Sequence, residues 1–504
     1  MALPDMGCYE YVIGGDGLSV IFSADGGTDG YGTLGVTFTS SVIYDGVQID
    51  PSEVTYTWNF GDGTIVSGTG AEYASRSHDF TAAGASDVSL SVLYRGEEAN
   101  FVRESLVKIY SDIIYVAPAS SGRPGVFPYA TEATATSDLT EAHKTAVLAV
   151  GAGATRMSIR LLPGEHPLTS SFALSFAGEV VGLGAKPEDT VVLPGAQILA
   201  FNISAADTLV ANLTVRGAYR NNNVVNGAAF SLTADGVISN CVAESCRASG
   251  HGNNTYGHGL YASRGVVVDT VVRNCIPADT GYRGNSAVYL TGTAFADRCV
   301  ITNNAAGGSA ASATSWTSFG SKGIGAYVIG RATLRNSLVA DNESGYCGGA
   351  GLYVANYAVV ENCTVAGNRI LNFGAYGNSE SGAGIYIENK EVTVRSCIVY
   401  GNTRWGEADD IAVASDAAFD SITYTLSPSL ADYLDGTGNL LSDPLFKNAV
   451  RGDYRLKTGS PAHNAGFNAE WCEGATDLAG KNRKSGTVDM GCYESSPSFA
   501  IILR

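Results

Sequence analysis

The sequence predicts an all-β protein in which a small sandwich precedes a long coil of short strands. Charged residues make up 16% of the chain and glycine accounts for 62 of 504 residues, which favours short strands and turns over helices. Runs of alternating polar and apolar residues, split by Gly/Asp turns, fill the region from about Leu18 to Tyr110. Further along, two short motifs alternate regularly, as in a repeat protein.

The sandwich is predicted from two stretches, "YTWNFGDGT" (Tyr56–Thr64) and "HDFTAAGASDVSLSV" (His78–Val92). Trp58 and Phe60 alternate toward the core, and the glycines of the GDG turn supply backbone angles that other residues avoid. Together the stretches resemble the PKD (polycystic kidney disease) domain, with asparagine at position 59 where that family usually has aspartate and serine at 86 where an aromatic is common. The resemblance covers residues 17–111 and implies a spacer or ligand-contact module rather than a catalyst.

The segment "DGGTDG" (Asp25–Gly30) has some of the residues of a calcium loop. No glutamate follows at the position of a bidentate calcium ligand, so a solvated hairpin turn is favoured. We therefore predict no metal ligands and no cofactor, while calcium binding stays open.

A single amphipathic helix is predicted over Ser137–Val150. Asp138 and Glu141 have the spacing of a capping box at its start. Five apolar residues fall on one face of this helix: Leu139, Ala142, Ala146, Val147 and Val150. A helix placed before many strands is expected to close the open end of a coil, because an exposed terminal coil would be an aggregation edge.

The repeat consists of an apolar-aromatic-apolar motif followed by a polar-Cys-apolar motif. The aromatic motif is centred on Phe230, Tyr261, Tyr289, Tyr327, Tyr353 and Tyr386. The second motif is centred on Cys241, Cys275, Cys299, Ser337, Cys363 and Cys397. Asparagines that precede the second motif, which tolerate left-handed backbone, are expected to form the corners: Asn240, Asn274, Asn336 and Asn362. One motif of each kind belongs to each turn of the coil.

This pattern resembles the right-handed parallel β-helix of the pectate-lyase-like superfamily over residues 112–440, with the helix as its N-terminal cap. Residues 441–494 resemble the "choice-of-anchor Q" segment that ends bacterial surface β-helix proteins. The hexapeptide DMGCYE occurs in it, at Asp489–Glu494, and also at Asp5–Glu10. We interpret residues 1–16 as the tail of a preceding repeat unit and residues 495–504 as the start of a next module.

Charge and hydropathy restrict the partners. The net charge of −18 argues against nucleic acid and anionic membrane surfaces, and no apolar stretch approaches the length of a membrane span. No signal peptide is visible, and the composition suits an extracellular or bacterial cell-surface protein. Among the ten cysteines, Cys472 and Cys492 are candidates for a disulfide, whereas those of the repeat are expected to be stacked core thiols.

Alternation places the five motif tyrosines outward, in a row along one face of the coil. Such a row is either a sugar-stacking platform or is buried by the loops that precede each tyrosine. These loops leave one corner and are expected to stack into a wall. The predicted ligand-binding residues are Tyr261, Tyr289, Tyr327, Tyr353, Tyr386, Trp316, Tyr282, Tyr346 and Arg247.

Two functions follow. A module of an adhesin, matrix or envelope protein would bind a polysaccharide or glycoconjugate, or neighbouring copies of itself, or would serve as a rigid structural element of the envelope. The alternative is a lyase on glycans that contain uronic acids, which needs a base and a cation that stabilises the enolate. The candidate catalytic residues are His251, His258, Tyr256 and Arg283. The sequence shows no carboxylate pair at glycosidase spacing and no acidic cluster within one coil, so the binding module is favoured.

Overall fold

The computed structural model describes residues 17–221, 225–249, 255–277, 286–306, 323–345, 348–371, 382–431, 437–484 and 486–495. The chain divides into two units. The first comprises Met1–Tyr115, Pro124–Thr136 and Glu141–Met157. The second comprises Val116–Arg123, Ser137–Thr140 and Ser158–Arg504.

The first unit contains the predicted sandwich. One sheet is built from Leu18–Asp25, Leu34–Tyr44, Val47–Gln48 and Ser75–Phe80. The other has the order Asp29–Tyr31, Glu97–Tyr110, Gly84–Tyr94, Thr55–Asn59 and Ile65–Thr69. Trp58 and Phe60 are fully buried between the sheets, and the Trp58 Nε1–H donates to the Tyr73 carbonyl at 2.8 Å. The segment at Asp25–Gly30 passes from the first sheet to the second, so the expected hairpin there is wrong.

Helices are few. The α-helices are Ala71–Ala74 and Leu139–Gly151, and short 3₁₀ turns lie at Pro51–Glu53, Ala119–Ser121, Pro187–Asp189, Asp416–Ser421, Pro428–Leu430, Ala449–Arg451 and Glu470–Cys472. The longer helix confirms the predicted one, and the Asp138 carboxylate accepts from the Thr140 backbone N–H at 2.8 Å. Val147 was placed on the wrong face: it is 46% exposed, and Ala149 is buried instead, because the apolar face turns with the helical period. The role of this helix as a cap stays a prediction.

The second unit is a coil whose every turn adds one strand to each of three parallel sheets. Sheet A contains Met157–Leu161, Gly178–Gly182, Thr208–Ala211, Val237–Ser239, Val266–Val268, Phe295–Asp297, Thr333–Arg335, Val359–Glu361, Thr393–Arg395 and Ile422–Thr423, and Ile113–Val116 precedes these in the chain. Sheet B contains Gly164–Leu168, Thr190–Pro194, Thr214–Arg216, Val242–Glu244, Val271–Arg273, Val300–Thr302, Leu338–Ala340, Thr364–Ala366 and Ile398–Tyr400. Sheet C contains Phe172–Leu174, Phe201–Ile203, Phe230–Leu232, Leu260–Ala262, Val288–Leu290, Ala326–Val328, Leu352–Val354, Ile385–Ile387 and Ile411–Val413.

This arrangement is the predicted parallel β-helix, and its inward positions are apolar. Leu352 and Val354 point into the coil and are fully buried on either side of Tyr353, as alternation requires. Parallel crossovers are right-handed in nearly all proteins, so a right-handed coil is expected.

Phe230 is the one member of the aromatic motif that was misplaced. It pairs with Leu260, whereas Ser231 pairs with Tyr261, so the true register differs by one residue from the predicted one. A one-residue shift moves a side chain to the other face of a strand. Phe230 therefore lies inside the coil, where its ring stacks on Phe201 at 5.8 Å between centroids.

Cys275 was also assigned to the wrong stack. The thiols of Cys241, Cys299, Cys363 and Cys397 donate to carbonyls of sheet A, whereas the Cys275 thiol donates to Ala243 of sheet B. Cys241 and Cys299 directly precede Val242 and Val300, and both of these valines pair with Val271. The residue before Val271, Thr270, therefore holds the position that was predicted for Cys275. The error arises because many sheet B strands have a left-handed residue on both sides, as Val271–Arg273 has Asp269 before it and Asn274 after it. The predicted asparagine corners are confirmed by their positive φ angles.

The inward stack that contains Cys275 continues along the coil as a ladder of four buried asparagines: Asn304, Asn342, Asn368 and Asn402. Each side-chain oxygen accepts from the backbone N–H of the preceding rung, for example Asn342 N–H to Asn368 Oδ1 at 3.0 Å. Each Nδ2 donates to a sheet B carbonyl, as Asn368 does to Val339 at 3.0 Å. The ladder ends at Asp410, whose Oδ1 accepts from both the backbone and the side chain of Asn402. Burial raises the pKa of Asp410 to about 6, against the opposing effect of these hydrogen bonds.

The C-terminal segment packs against the outer face of sheet B. Its strands are Phe446–Asn448 and Asp453–Leu456. Outward residues of sheet B, such as Leu338, Ala366 and Ile398, form a buried cluster with Phe446, Tyr454 and Met490 of the segment. Trp471 lies over the Arg335 guanidinium at 4.0 Å and donates from Nε1 to Glu361 at 2.9 Å. The segment therefore covers the side of the coil.

The repeated hexapeptide forms the centre of this contact. The Gly491 N–H donates to the Ser396 carbonyl at 2.7 Å, and the Cys492 N–H donates to Thr364 Oγ1 at 3.1 Å. Asp489 is fully buried and accepts from the Asn464 backbone at 2.7 Å. Glu494 pairs with the fully buried Arg483 at 2.9 Å.

The proposed disulfide is wrong, because Cys472 and Cys492 are both free thiols. Cys492 packs with Met490 and Ala366, whereas Cys472 packs in a separate cluster with Ala469 and Val488. Burial raises the pKa of the Cys492 thiol to about 12, so it is an unreactive apolar group at neutral pH.

Asn368→Ala tests the ladder. The substitution leaves two buried donors of Asn342 without their acceptor, so we expect the free energy of unfolding to fall by about 3 kcal/mol. Asn389→Ala, which breaks an exposed Asn–Asn hydrogen bond to Asn356, is the control and should cost less than about 1 kcal/mol. Urea denaturation measures both, and equal losses would contradict a ladder that stabilises the coil.

Gly491→Ala tests the C-terminal contact. Gly491 and Gly480 have φ of 84° and 79°, but a Cβ at Gly491 would lie 2.6 Å from Thr364 Oγ1, whereas nothing lies within 4 Å at Gly480. Gly480→Ala carries only the backbone cost of about 1 kcal/mol. Gly491→Ala should cost about 2 kcal/mol more and make residues 441–495 sensitive to protease. Equal stability of the two variants would show that this contact is loose.

Candidate functional site

The five motif tyrosines form one row along sheet C. Tyr261 pairs in register with Tyr289, and the pairing continues through Tyr327 and Tyr353 to Tyr386. Their ring centroids follow one another at 5.8, 5.0, 4.9 and 4.9 Å. At the equivalent position, the preceding coil has Ser231 and the following coil has Ala412. The row therefore spans five coils without interruption, as predicted.

Exposure varies along the row. Tyr353 is only 2% exposed, while the other four tyrosines are half-buried. Burial, reinforced by Tyr256 and Tyr261, raises the pKa of Tyr289 to about 12. Burial, with a contribution from Glu388, also raises the pKa of Tyr353. The rings alternate between stacked contacts, Tyr261 on Tyr289 and Tyr353 on Tyr386, and edge-to-face contacts of Tyr327 with Tyr289 and Tyr353.

The bases of the predicted loops stack beside this row. Short parallel ladders join the residues at the loop bases: Tyr219–Asn221, Arg247–Ser249 and Ile276–Pro277 in one, and Ala305–Ala306, Glu343–Ser344, Arg369–Ile370 and Thr403–Arg404 in the other. Glu407–Ala408 extends the second ladder by pairing antiparallel with Thr403–Arg404. Their last residues stack too, since the Gly349 N–H donates to the Gly382 carbonyl at 2.9 Å. A Cβ at Gly349 would lie 2.4 Å from the Leu352 carbonyl, so this position requires glycine. The loops therefore leave and return at fixed corners.

Several predicted site residues lie outside the described residues, namely His251, Tyr282, Arg283, Trp316 and Tyr346. The catalytic and ligand-binding roles predicted for these residues stay predictions.

The structure places the three other predicted residues at the N-terminal end of the row. The Tyr256 ring lies 4.7 Å from Tyr289 and 6.4 Å from Tyr261, which brings Tyr256 into the tyrosine group. Arg247 is exposed on the first loop ladder. The His258 side chain is 1% exposed, and its backbone N–H donates to the Ser286 carbonyl at 2.7 Å in a corner of the coil. This burial favours a structural role for His258 over that of a base, which must reach its substrate.

The C-terminal segment contains a cluster of polar side chains formed by His463, Asp489 and Ser495. Both Asp489 and Ser495 contact Nδ1 of the imidazole, while Asn464 occupies Nε2. In a catalytic triad the nucleophile and the carboxylate bind opposite nitrogens of the ring. The arrangement is thus a structural network that holds the segment together.

Two residues near Tyr256 have no counterpart in the sequence predictions. Arg220 and Asn226 lie at the base of the loop one coil earlier, in strands that pair with Arg247–Ser249 and Thr255–Tyr256. Neither belongs to a repeated motif, so sequence spacing carries no signal for them. In the described part of the chain, no group of three or more His, Cys, Asp or Glu side chains could hold a metal ion.

The architecture defines a modular all-β protein, a sandwich followed in the chain by a parallel β-helix. Comparison with family models matches the PKD domain over residues 27–100, so the sandwich is a PKD domain, a module typical of extracellular and cell-surface proteins. Searches of curated proteins and of solved structures gave no match. Among the described residues, no helix has the length and hydropathy needed to cross a bilayer.

Tyr289→Leu tests how far the row stabilises the coil. The leucine removes ring contacts with Tyr256, Tyr261 and Tyr327, each worth about 0.5–1.5 kcal/mol. We expect the free energy of unfolding to fall by about 2 kcal/mol. Tyr289→Phe keeps the ring and should remain close to wild type in the same urea titration, whereas a comparable loss in both would assign the stability to the hydroxyl.

Proposed function

We propose that this chain is a non-enzymatic module of a bacterial cell-surface or secreted protein, and that its coil binds a polysaccharide or glycoconjugate. The observation that supports this most is the uninterrupted tyrosine row beside the stacked loop bases. Phenol edges and hydroxyls offer apolar contact together with hydrogen bonds, which is what a sugar ring requires. Four coil steps of about 4.8 Å make the row roughly 19 Å long, enough for a short stretch of glycan.

An extracellular location rests on two supports. The PKD domain is typical of extracellular and surface proteins. The net charge of −18 keeps such a surface soluble and disfavours nucleic acid. No nucleic-acid partner and no membrane insertion are proposed.

A rigid structural role is compatible with the same coil. The ladder of asparagines and the covered face of sheet B make the coil stiff, and the DMGCYE sequence at Asp489–Glu494 anchors the C-terminal segment to it. The second copy of this sequence, Asp5–Glu10, supports the idea of neighbouring copies of the module in an envelope protein.

The alternative, a lyase on glycans containing uronic acids, has weaker support. Of its candidate residues in the described part, Tyr256 stands beside the row with a half-buried side chain, but His258 is enclosed in a corner. A lyase would also need a cation to stabilise the enolate.

Glycan panels separate these functions. The chain is incubated with pectate, alginate, glycosaminoglycans and a neutral glucan, and both pull-down and absorbance of the unsaturated-uronide band are measured. We expect retention on at least one glycan without product. Double substitution Tyr289→Leu and Tyr327→Leu should weaken retention at least tenfold, while Tyr31→Leu, at an exposed tyrosine of the sandwich, should not.

Unsaturated product would instead establish the lyase. Retention that survives the double substitution would remove the tyrosine row from the binding surface.

A further inference from the structure

The guanidinium of Arg220 is a partly buried cation with few polar partners. Its Nη1 donates to the Gly227 carbonyl at 2.8 Å, and its buried Nε has no hydrogen-bond partner. Among the described residues, no carboxylate lies within ion-pair distance of its guanidinium. Burial is the sole cause of the lowered pKa of Arg220, which agrees with the absence of a nearby anion.

Asn226 places an acceptor at the same loop base. Its buried Oδ1 also has no hydrogen-bond partner. It directly precedes Gly227, the residue to which Arg220 is bonded, and it pairs in register with Tyr256. The Gly227 N–H in turn donates to the Tyr256 carbonyl at 2.9 Å. Arg220, Asn226 and Tyr256 are therefore held on one small framework.

A desolvated guanidinium without a counter-ion and a buried acceptor without a donor both cost folding free energy. A ligand with a carboxylate and a neighbouring hydroxyl would satisfy both, since the carboxylate accepts from arginine and the hydroxyl donates to the amide oxygen. Tyr256 adds an aromatic ring, itself part of the tyrosine group. A carboxylated sugar combines these three features in one molecule.

We propose that Arg220 and Asn226 form a subsite for a sugar carboxylate at the N-terminal end of the tyrosine row. The inference rests on the proposed glycan-binding function and adds the chemical class of one sugar. Arg247, exposed on the adjacent rung where it pairs with Tyr219, adds local positive charge. The negative net charge of the chain does not oppose this at short range, because physiological salt screens exposed charges beyond about 8 Å.

Titration calorimetry on the full chain tests the subsite. The probes are tetragalacturonate and its methyl ester, and sialyllactose and lactose, so that a uronic acid and a sialic acid are distinguished. We expect one acidic probe to bind at least tenfold more tightly than its neutral partner. Arg220→Met should abolish this ratio, whereas Arg264→Met, at an exposed arginine paired with Asp235, should retain it.

Asn226→Asp is the second variant. It keeps the size and the acceptor but adds a negative charge, so it should weaken the acidic probe more than the neutral one. Thermal unfolding of each variant checks the fold, and Arg220→Met is expected to be at least as stable as wild type because a desolvated charge is removed.

Other outcomes overturn the proposal. Equal binding of acidic and neutral probes, or an unchanged ratio in Arg220→Met, would exclude the subsite and leave glycan binding in place. Displacement of the sugar by sodium sulfate at the same concentration would reduce the site to a general anion site. No binding of any probe or panel glycan would remove both proposals.

Discussion

In-register stacking of successive coils is the constraint on which the rest of the structure depends. Each turn returns to the same three sheets, so a residue type that recurs at one position is repeated at the strand spacing. The buried asparagines, the inward thiols and the outward tyrosines are three results of this one geometry. A polar side chain is tolerated inside the coil only because its neighbours above and below provide its hydrogen bonds.

The C-terminal segment depends on the same stacking, because it contacts charged side chains of sheet A as well as the outer face of sheet B. Outward charges of sheet A alternate along the coil, with Asp297, Arg335, Glu361 and Arg395 on successive rungs. Trp471 and Phe467 of the C-terminal segment lie over the two arginines of this series. The segment thus packs on a regularly repeating surface. The DMGCYE sequence supplies the backbone donors and the close approach of glycine that the contact requires.

In the proposed function, the ligand contacts lie at positions that differ from one coil to the next. Loop bases are fixed by hydrogen bonds and by glycines at their ends, so the intervening sequences change without disturbing the sheets. The tyrosine row lies beside these bases, and Arg220 and Asn226 lie at one of them. A regular scaffold can therefore present different side chains to a long ligand while its own core stays the same.

Register errors show where sequence reasoning reached its limit. The alternation around Tyr353 was read correctly, because two buried aliphatic residues flank an aromatic one. Phe230 was misread because its motif fits two registers that differ by one residue, and only pairing with Leu260 separates them. Cys275 was misread because both ends of a sheet B strand carry a left-handed residue followed by a small inward side chain.

By itself the sequence determined the fold class, the PKD domain, the repeat and the outward tyrosine row, because these are periodic and periodicity is local information. Tertiary structure alone decided which rung each side chain joins, that Cys472 and Cys492 lie in separate clusters, and that the C-terminal segment covers sheet B. It also brought Arg220 and Asn226 together with Tyr256. These are contacts between residues distant in the chain or in irregular loops, and no local pattern encodes them.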